Sequence, residues 1–255
     1  MIEILTVTLP ALTGSAQRRA YVYIPKAAEE EPERRFPVLY MFDGHNIFFD
    51  EDATYGKCWG LGEYLDSHGT PLIVAAVECN HDPDNGRLSE YAPYSFSAPR
   101  IGAVKGRGAL SMDWLIHSFK TMIDSTYPTM PDRDHTFIAG SSMGGLMSLY
   151  AVSCFNDTFS RAAVLSPALC LGSRKLGKML QRSKMKEDTV IYMDLGESEI
   201  KRPGMRLLFR HFTALLMDKG VKLTVRIVPG GEHNEASWER QIPFFLPTLL
   251  YGQEG

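Results

Sequence analysis

The chain has 255 residues, of which 44% are hydrophobic and 22% are charged, and this composition fits one soluble α/β domain spanning residues 1–255. The formal net charge of −3 gives no broad basic field, so we expect no nucleic-acid partner. No apolar run approaches the roughly 18 residues of a membrane span, and the N-terminus has no basic segment before an apolar one. We therefore expect no membrane association, no signal peptide and a cytoplasmic location. Nothing in the sequence decides between a monomer and a homo-oligomer.

The first part of the chain predicts edge strands followed by buried strands. Polar and apolar residues alternate in two opening segments, which is typical of antiparallel strands at a sheet edge. Two continuous apolar runs that follow are typical of strands buried on both faces. We therefore predict strands at 2–9, 18–24, 36–42 and 71–78, a helix at 55–68 and a long irregular stretch at 79–108. A loop of that length is usually functional or disordered, and its many aromatic residues argue against disorder.

The rest of the chain alternates between helix and strand. The predicted helices are 112–127, 145–152, 173–182, 205–219 and 238–250, with the last one interrupted or kinked at Pro243 and Pro247. The predicted strands are 136–139, 159–166, 189–195 and 223–228. This order predicts an α/β fold: a mostly parallel central sheet with antiparallel N-terminal edge strands and helices on both faces.

The most informative motif is Gly-Ser-Ser-Met-Gly at residues 140–144. It lies between a predicted strand and a predicted helix, which is the context of a nucleophile elbow. Such a sharp turn strains the backbone of Ser142 and leaves no room for a Cβ atom at Gly140 or Gly144. The turn lifts the Ser142 hydroxyl above the sheet edge. We predict that Ser142 is a nucleophile; the alternative is a glycine-rich turn without chemistry.

A serine hydroxyl needs a base to remove its proton. In chains with a nucleophile elbow, an acid and then a histidine follow the serine. Of the seven histidines, only His211 and His233 follow Ser142. His211 lies in the middle of a predicted helix, which favours a structural role. His233 lies in a glycine-rich turn after the last strand, where ligand sites form in open α/β sheets, and we predict it as the general base.

The acid should accept a hydrogen bond from the other imidazole nitrogen. Three carboxylates lie near the end of the strand at 189–195. Asp194 falls within the strand, whereas Glu197 and Glu199 follow it. We favour Glu199, and Glu197 and Asp194 remain alternatives.

Two backbone N–H groups should stabilise the oxyanion that develops when a serine attacks a carbonyl group. One is predicted to belong to Met143, directly after the nucleophile. The other is predicted to belong to His45, on the loop after the strand at 36–42, where Gly44 permits a close approach. His45 precedes the elbow and is therefore not predicted as the base.

No metal or cofactor is predicted. His81 could be grouped with Asp82 and Asp84, but this spacing matches no established ligand pattern. The four cysteines contain no Cys-x-x-Cys pair and are predicted to be buried free thiols rather than disulfides or metal ligands. They are Cys58, Cys79, Cys154 and Cys170.

The chain resembles the "Putative esterase" family of α/β hydrolases, which includes enterobactin esterase-like enzymes, feruloyl esterases, S-formylglutathione hydrolase and mycolyltransferases. The matching segments occur in the family's order and are 39–48, 87–93, 140–145, 194–199 and 231–238. The resemblance implies an α/β-hydrolase fold. The family commonly places its acid three residues after a glycine, and that position here is Glu199.

The resemblance also implies a serine carboxylesterase that acts through an acyl-enzyme. No cap domain is inserted between the elbow and the acid, which favours an open site for a short-chain or aromatic ester of the acetyl or feruloyl type. Tyr91, Tyr94 and Trp59 are predicted substrate contacts, although aromatic residues like these also serve as packing. The alternatives are an S-formylglutathione hydrolase-like thioesterase, a siderophore esterase and a binding protein on a degenerate hydrolase fold.

Overall fold

The computed structural model describes residues 1–99 and 101–252. Arg100, inside the predicted long loop, and residues 253–255, at the end of the predicted domain, lie outside the described residues. The strands are β1 (Ile2–Thr8), β2 (Gln17–Tyr23), β3 (Val38–Phe42), β4 (Ile73–Val77), β5 (Phe96–Ala98), β6 (Gly102–Val104), β7 (Thr136–Ser141), β8 (Arg161–Leu165), β9 (Val190–Gly196) and β10 (Lys222–Val228).

The helices connect these strands and cover the sheet. They are α1 (Pro10–Thr13), α2 (Ala27–Glu30), α3 (Leu61–His68), α4 (Gly86–Glu90), α5 (Gly108–Trp114), α6 (Thr121–Thr126), α7 (Met143–Cys154), α8 (Ser173–Arg182), α9 (Glu197–Ile200), α10 (Met205–Met217), α11 (Glu235–Glu239) and α12 (Ile242–Leu250). A π-helical segment, Leu115–Lys120, joins α5 to α6, and 3₁₀ turns occupy Gly44–Asn46 and Arg133–His135.

The main sheet has the strand order β1-β2-β4-β3-β7-β8-β9-β10. β1 pairs antiparallel with β2, and β2 pairs antiparallel with β4, whereas the remaining neighbours are parallel. This is the predicted architecture of a mostly parallel sheet with antiparallel strands at its N-terminal edge. The chain moves outward from β3 in two directions, so the loops after β3 and β7 meet at a topological switch point, where open α/β sheets place their ligand sites.

Two apolar layers lie on opposite faces of the sheet because successive strand side chains point to opposite sides. On β3, Tyr40 belongs to the layer that also contains residues of α5, α7, α8 and α10. Leu39 and Met41, its neighbours in sequence, belong to the layer that contains residues of α3 and α12. Both layers consist of buried apolar side chains, so the sheet is covered on both faces and supports the loops at its carboxyl edge.

Several predicted boundaries are wrong. The helix predicted at 55–68 is confined to α3, because Gly56 and Gly60 adopt positive φ angles of +68° and +61° that interrupt a right-handed helix. The stretch 79–108 contains α4 and the β5–β6 hairpin, so it is only partly irregular. All four cysteines are free, but Cys154 and Cys170 are exposed rather than buried.

The segments that carry the predicted catalytic residues all lie at one edge of the sheet. Ser142 follows β7, and α9 and the turn with His233 follow β9 and β10. His45 lies in the turn after β3. In the described part of the chain, no helix is both long and apolar enough to cross a membrane.

Candidate active site

Ser142 occupies a sharp turn between β7 and α7. Its φ and ψ angles are +57° and −116°, an uncommon conformation for a residue other than glycine. Its N–H donates a 3.0 Å hydrogen bond to the carbonyl of Leu165 on β8, which anchors the turn to the sheet. A Cβ atom on Gly140 would lie 2.7 Å from the carbonyl carbon of Gly144. The turn therefore requires glycine at Gly140, as the sequence motif indicates.

A line of hydrogen bonds joins Ser142 to His233 and Glu199. Nε2 of His233 lies 2.9 Å from Oγ of Ser142. Nδ1 of the same ring lies 2.7 Å from Oε1 of Glu199. The structure thus brings together the three residues predicted as nucleophile, base and acid. His211 is exposed on α10 and is absent from this arrangement.

The segments that carry His233 and Glu199 are packed against each other. The N–H of Ser198 donates a 3.1 Å hydrogen bond to the carbonyl of Gly231. A Cβ atom on Gly196 would lie 2.6 Å from the same carbonyl oxygen. Glycine at this position permits the turn after β10 to contact the start of α9, which sets the separation between the imidazole and the carboxylate.

Glu199 is 3% exposed, and both of its oxygens are engaged. Oε1 faces His233, while Oε2 accepts hydrogen bonds from Oγ of Ser166 at 2.6 Å and from the N–H of Gly196 at 2.9 Å. The Ser166 oxygen in turn accepts a bond from Nε1 of Trp238 at 3.1 Å. Burial favours the neutral acid, but the bonds from His233, Ser166 and Gly196 outweigh it and keep the pKa of Glu199 below its ordinary value.

The other two candidate acids have different partners. Glu197 is bonded to Lys201 at 2.8 Å, on the surface. Asp194 is 1% exposed, and it accepts bonds from the N–H of Ser166 and the hydroxyl of Tyr192. Burial raises the pKa of Asp194 to about 7. Neither carboxylate is hydrogen-bonded to the imidazole in the described part of the chain, so of the three candidates Glu199 has the geometry of an orienting acid.

The two residues predicted to supply the oxyanion hole, Met143 and His45, lie just after β7 and β3, which are adjacent strands of the sheet. Met143 is the first residue of α7, so its N–H has no carbonyl partner within that helix. His45 lies in the 3₁₀ turn after β3, beside Gly44. A Cβ atom on Gly44 would lie 2.8 Å from the backbone carbon of Ala76, so this turn can lie flat on β4 only with glycine.

An ion pair between Asp43 and Arg87 stabilises the turn that carries His45. Asp43, with a φ angle of +58°, accepts two hydrogen bonds from Arg87 at 2.6 and 2.7 Å. Its N–H also donates to the hydroxyl of Tyr91. Burial favours the neutral form of Asp43, but the Arg87 charge holds the pKa of the carboxyl below its ordinary value. The ion pair thus links α4 to the turn that carries His45.

A cavity of about 430 Å³ opens above Ser142 and His233. Its charged lining residues are Asp82, Arg87 and Glu235, and the indole of Trp238 also contributes. Burial raises the pKa of Glu235 above its ordinary value. The lining mixes hydrogen-bonding and apolar groups and carries little net charge. Its other members include Asn46, Thr54, Tyr55, Asn80, His81 and Leu88.

The structure does not bring Trp59, Tyr91 and Tyr94 to this cavity. Trp59 is 2% exposed, and its ring lies 6.0 Å from that of Trp238 in the core. Tyr91 is buried against Phe42, with ring centroids 5.0 Å apart. Tyr94 donates its hydroxyl hydrogen to the carbonyl of Leu171 and lines a different cavity. Burial of a large aromatic side chain contributes more to folding stability than burial of a smaller one. These three residues therefore pack within the protein rather than line the cavity above Ser142.

Sequence reasoning missed Ser166, Arg87 and Glu235. Ser166 directly follows β8, at the same edge of the sheet as Ser142, and that position was a usable signal. The other two residues lie on short helices that the sequence pattern did not separate from irregular chain. Their contribution to the cavity depends on how those helices pack, which a single sequence does not encode locally.

The mostly parallel sheet with its antiparallel edge strands and covering helices is an α/β-hydrolase fold. The sequence model described as "Putative esterase" matches residues 14–249, and the chain belongs to that family. The protein is accordingly an ester hydrolase. A relative, the uncharacterized protein YbbA of Bacillus subtilis, is 21% identical over 188 residues, which cover 72% of this chain and 70% of that protein.

Solved structures of similar proteins support the fold assignment. A ferulic acid esterase superposes with a TM-score of 0.68 at 16% identity, covering 98% of this chain and 97% of the other. The enterobactin esterase FES of Shigella flexneri gives 0.75 at 17% identity, and the match covers all of this chain but 60% of FES. The enterobactin and salmochelin hydrolase IroE gives 0.65 at 19% identity, covering 94% and 93% of the two chains.

Proposed function

We propose that this esterase is a serine carboxylesterase in which Ser142, His233 and Glu199 form the catalytic triad. The observation that carries the proposal is the pair of hydrogen bonds on the His233 ring, 2.9 Å to Ser142 and 2.7 Å to Glu199. One nitrogen is placed to take the serine proton, and the other is held by the carboxylate. This is the division of roles that activates a serine hydroxyl.

The reaction begins when Oγ of Ser142 attacks the ester carbonyl carbon and its proton passes to Nε2 of His233. The N–H groups of Met143 and His45 stabilise the oxyanion of the tetrahedral intermediate. The intermediate collapses, the imidazolium returns its proton to the departing alcohol, and an acyl-enzyme is left. A water molecule activated by His233 then releases the acid. Glu199 holds Nδ1–H throughout and stabilises the imidazolium.

The cavity favours a small neutral ester with a short-chain or aromatic acyl group, such as acetyl or feruloyl. A volume of about 430 Å³ is at the lower end of ordinary ligand sites. Of its charged lining residues, Arg87 is already paired with Asp43, and Asp82 and Glu235 are acidic. Such a lining is poorly matched to a highly anionic siderophore complex, despite the structural similarity to enterobactin esterases.

The first experiment asks whether Ser142 is the nucleophile. A fluorophosphonate probe reacts covalently with activated serines, and we expect it to label the wild-type protein at Ser142 and not to label Ser142→Ala. Ser153→Ala is a matched control, since Ser153 is a buried serine outside this site. Labelling that persists in Ser142→Ala would remove Ser142 from the mechanism.

The second experiment defines the substrate class. Aryl esters of acetate, butyrate and ferulate are compared with S-formylglutathione and with enterobactin under identical conditions. We expect the highest kcat/KM for an acetyl, butyryl or feruloyl ester. A preference for the glutathione thioester would favour the thioesterase alternative, and a preference for enterobactin would favour the siderophore esterase.

A further inference from the structure

Three potential metal ligands meet in the wall of the cavity. His45 lies in the turn after β3, and Cys79 and His81 lie in the segment that follows β4. Each offers one donor atom, and these three atoms lie within 4.8 Å of one another. The two imidazole rings are 4.9 Å apart and inclined at 68°. Residues 34 positions apart in the chain meet here because β3 and β4 are parallel neighbours that end at the same edge.

A second, independent observation concerns the hydrogen bonding of the His45 ring. The residue is 4% exposed, and Nε2 is 3.1 Å from Oγ1 of Thr54. Nδ1 is buried and has no hydrogen-bond partner among the residues that the structure describes. A buried nitrogen without a partner is costly, and such groups are few in folded proteins. The tautomer in which Nε2–H donates to Thr54 leaves a lone pair on Nδ1.

We propose that His45, Cys79 and His81 bind a single divalent transition-metal ion of the zinc class. Two imidazoles and one thiolate form a donor set that selects zinc or a neighbouring transition metal over magnesium or calcium. Bond lengths of about 2.0 Å to nitrogen and about 2.3 Å to sulfur place tetrahedral ligand atoms roughly 3.4–3.6 Å apart. The present separations, all within 4.8 Å, exceed these values by at most about 1.4 Å. Rotation of the exposed His81 side chain can shorten its distances to the other two donors.

Metal binding at this site requires Cys79 to lose its thiol proton. A metal–sulfur bond replaces the S–H bond of Cys79, and the released proton passes to solvent. The Thr54 hydroxyl remains on the far nitrogen of His45 and orients the ring, as outer ligands commonly do for metal-bound histidines. Three protein ligands leave a fourth position, which water occupies in the absence of another donor.

Metal binding should inhibit ester hydrolysis, an inference that rests on the proposed function. All three ligands line the same cavity as Ser142 and His233. The backbone N–H of His45 is also the second proposed oxyanion donor. An ion bound to the His45 ring therefore narrows the cavity and pulls on the turn that presents this N–H. Chelation should restore activity, because removal of the ion and return of a proton to the Cys79 thiol regenerate the metal-free protein.

The test measures binding directly and without substrate. The metal-free wild-type protein is titrated with Zn²⁺ by calorimetry and with Co²⁺ by absorption spectroscopy. We expect one ion per chain, a tetrahedral cobalt spectrum and a thiolate-to-cobalt charge-transfer band. His81→Ala should weaken Zn²⁺ binding by more than the roughly 10- to 100-fold that loss of an outer-shell partner costs. Cys79→Ser should abolish the charge-transfer band, with its fold checked by circular dichroism.

Two control variants locate the ion. His211→Ala removes an exposed imidazole on α10 and should bind as wild type does. His233→Ala removes the remaining imidazole of the cavity and should also retain the cobalt spectrum. Wild-type protein that binds neither metal, or unchanged affinity in His81→Ala, would overturn the proposal. Loss of binding in His233→Ala would move the ion to the triad. The cobalt spectrum is independent of turnover, so failure of the esterase proposal would leave this result intact.

Discussion

Oγ of Ser166 donates a 2.6 Å hydrogen bond to Oε2 of Glu199, the carboxylate oxygen that does not face His233. The same serine accepts a bond from the indole of Trp238 and has a φ angle of +41°. An uncommon backbone conformation held by several bonds is typical of a site that other residues over-determine. Ser166 therefore holds the Glu199 carboxylate in the rotation at which Oε1 faces Nδ1 of His233 and can accept its hydrogen bond.

Ser166→Ala should lower kcat with little effect on KM. A hydrogen bond to a charged group is worth about 1.5–3 kcal/mol, which corresponds to a roughly tenfold to hundredfold loss if it is fully expressed in the transition state. Steady-state kinetics on an aryl ester measures the split between kcat and KM. Ser153→Ala is the matched control, because the buried Ser153 hydroxyl has no partner in the described residues. A rise in KM at unchanged kcat would show that Ser166 does not act through Glu199.

Glu199→Gln and Glu197→Gln should separate the two glutamates that follow β9. Glu199 touches the imidazole at 2.7 Å, whereas Glu197 is bonded to Lys201 at the surface. Loss of the orienting carboxylate in other triads lowers kcat by about 10⁴, and we expect a loss approaching that size for Glu199→Gln. Glu197→Gln should retain activity close to wild type. Comparable losses in both variants would contradict the assignment of Glu199 as the acid.

The elbow and the order of elements were predictable because both depend on local signals. Gly140 and Gly144 indicate a turn that excludes Cβ atoms, and the apolar runs on either side indicate a buried strand and helix. Because the strands of βαβ units run parallel, the loops that follow them meet at the same carboxyl edge of the sheet, where the site residues lie. The position of His233 was predictable for the same reason, since it lies in the turn that follows the last strand, β10.

The cavity wall was less predictable. Tyr91, Tyr94 and Trp59 were expected in it, but all three pack elsewhere, and Arg87 and Glu235 line it instead. Their placement depends on the packing of short helices against distant strands. The local pattern of polar and apolar residues does not indicate contacts between segments that are distant in the chain. The choice among the candidate acids was similarly open, because it depends on which carboxylate the turn after β10 meets.

Gly44→Ala should damage catalysis more than stability. The added Cβ would lie 2.8 Å from the backbone carbon of Ala76, so the His45 turn must move away from β4. Loss of one oxyanion donor costs about 10²–10³ in kcat, and displacement of the His45 N–H should cost a similar amount. Kinetics and thermal unfolding are measured on the same preparation.

Gly177→Ala is the control for this substitution. Its Cβ would meet no atom closer than 3.7 Å, and Gly177 lies inside α8. Alanine in a helix interior stabilises by roughly 0.5–1 kcal/mol relative to glycine, so Tm should rise while kcat is unchanged. Wild-type kcat in Gly44→Ala would remove the His45 turn from the oxyanion hole.

Asp194 should make the free energy of unfolding depend on pH in the direction opposite to a salt-bridged carboxylate. Burial raises the pKa of its carboxyl to about 7 in the folded protein, from an ordinary value of 3.8. Between these values the folded protein keeps a proton that the unfolded chain has released, so stability falls as pH rises. Asp194→Asn has no such proton to lose. The wild-type free energy of unfolding minus that of Asp194→Asn should therefore decrease from about pH 4 to about pH 7, by up to roughly 4 kcal/mol, and remain level above that range.

Urea unfolding of both proteins across this pH range measures the difference, in which the contributions of other carboxylates cancel. Asp113→Asn is a suitable charge control, since its side chain is 74% exposed. Asparagine can still accept the bond from the N–H of Ser166, so the variant should fold. A difference that stays level, or that increases with pH, would mean that the carboxyl of Asp194 is already charged near neutrality. Asp194 and Glu199 would then be two adjacent buried anions, and the low pKa of Glu199 would need a further source of stabilisation.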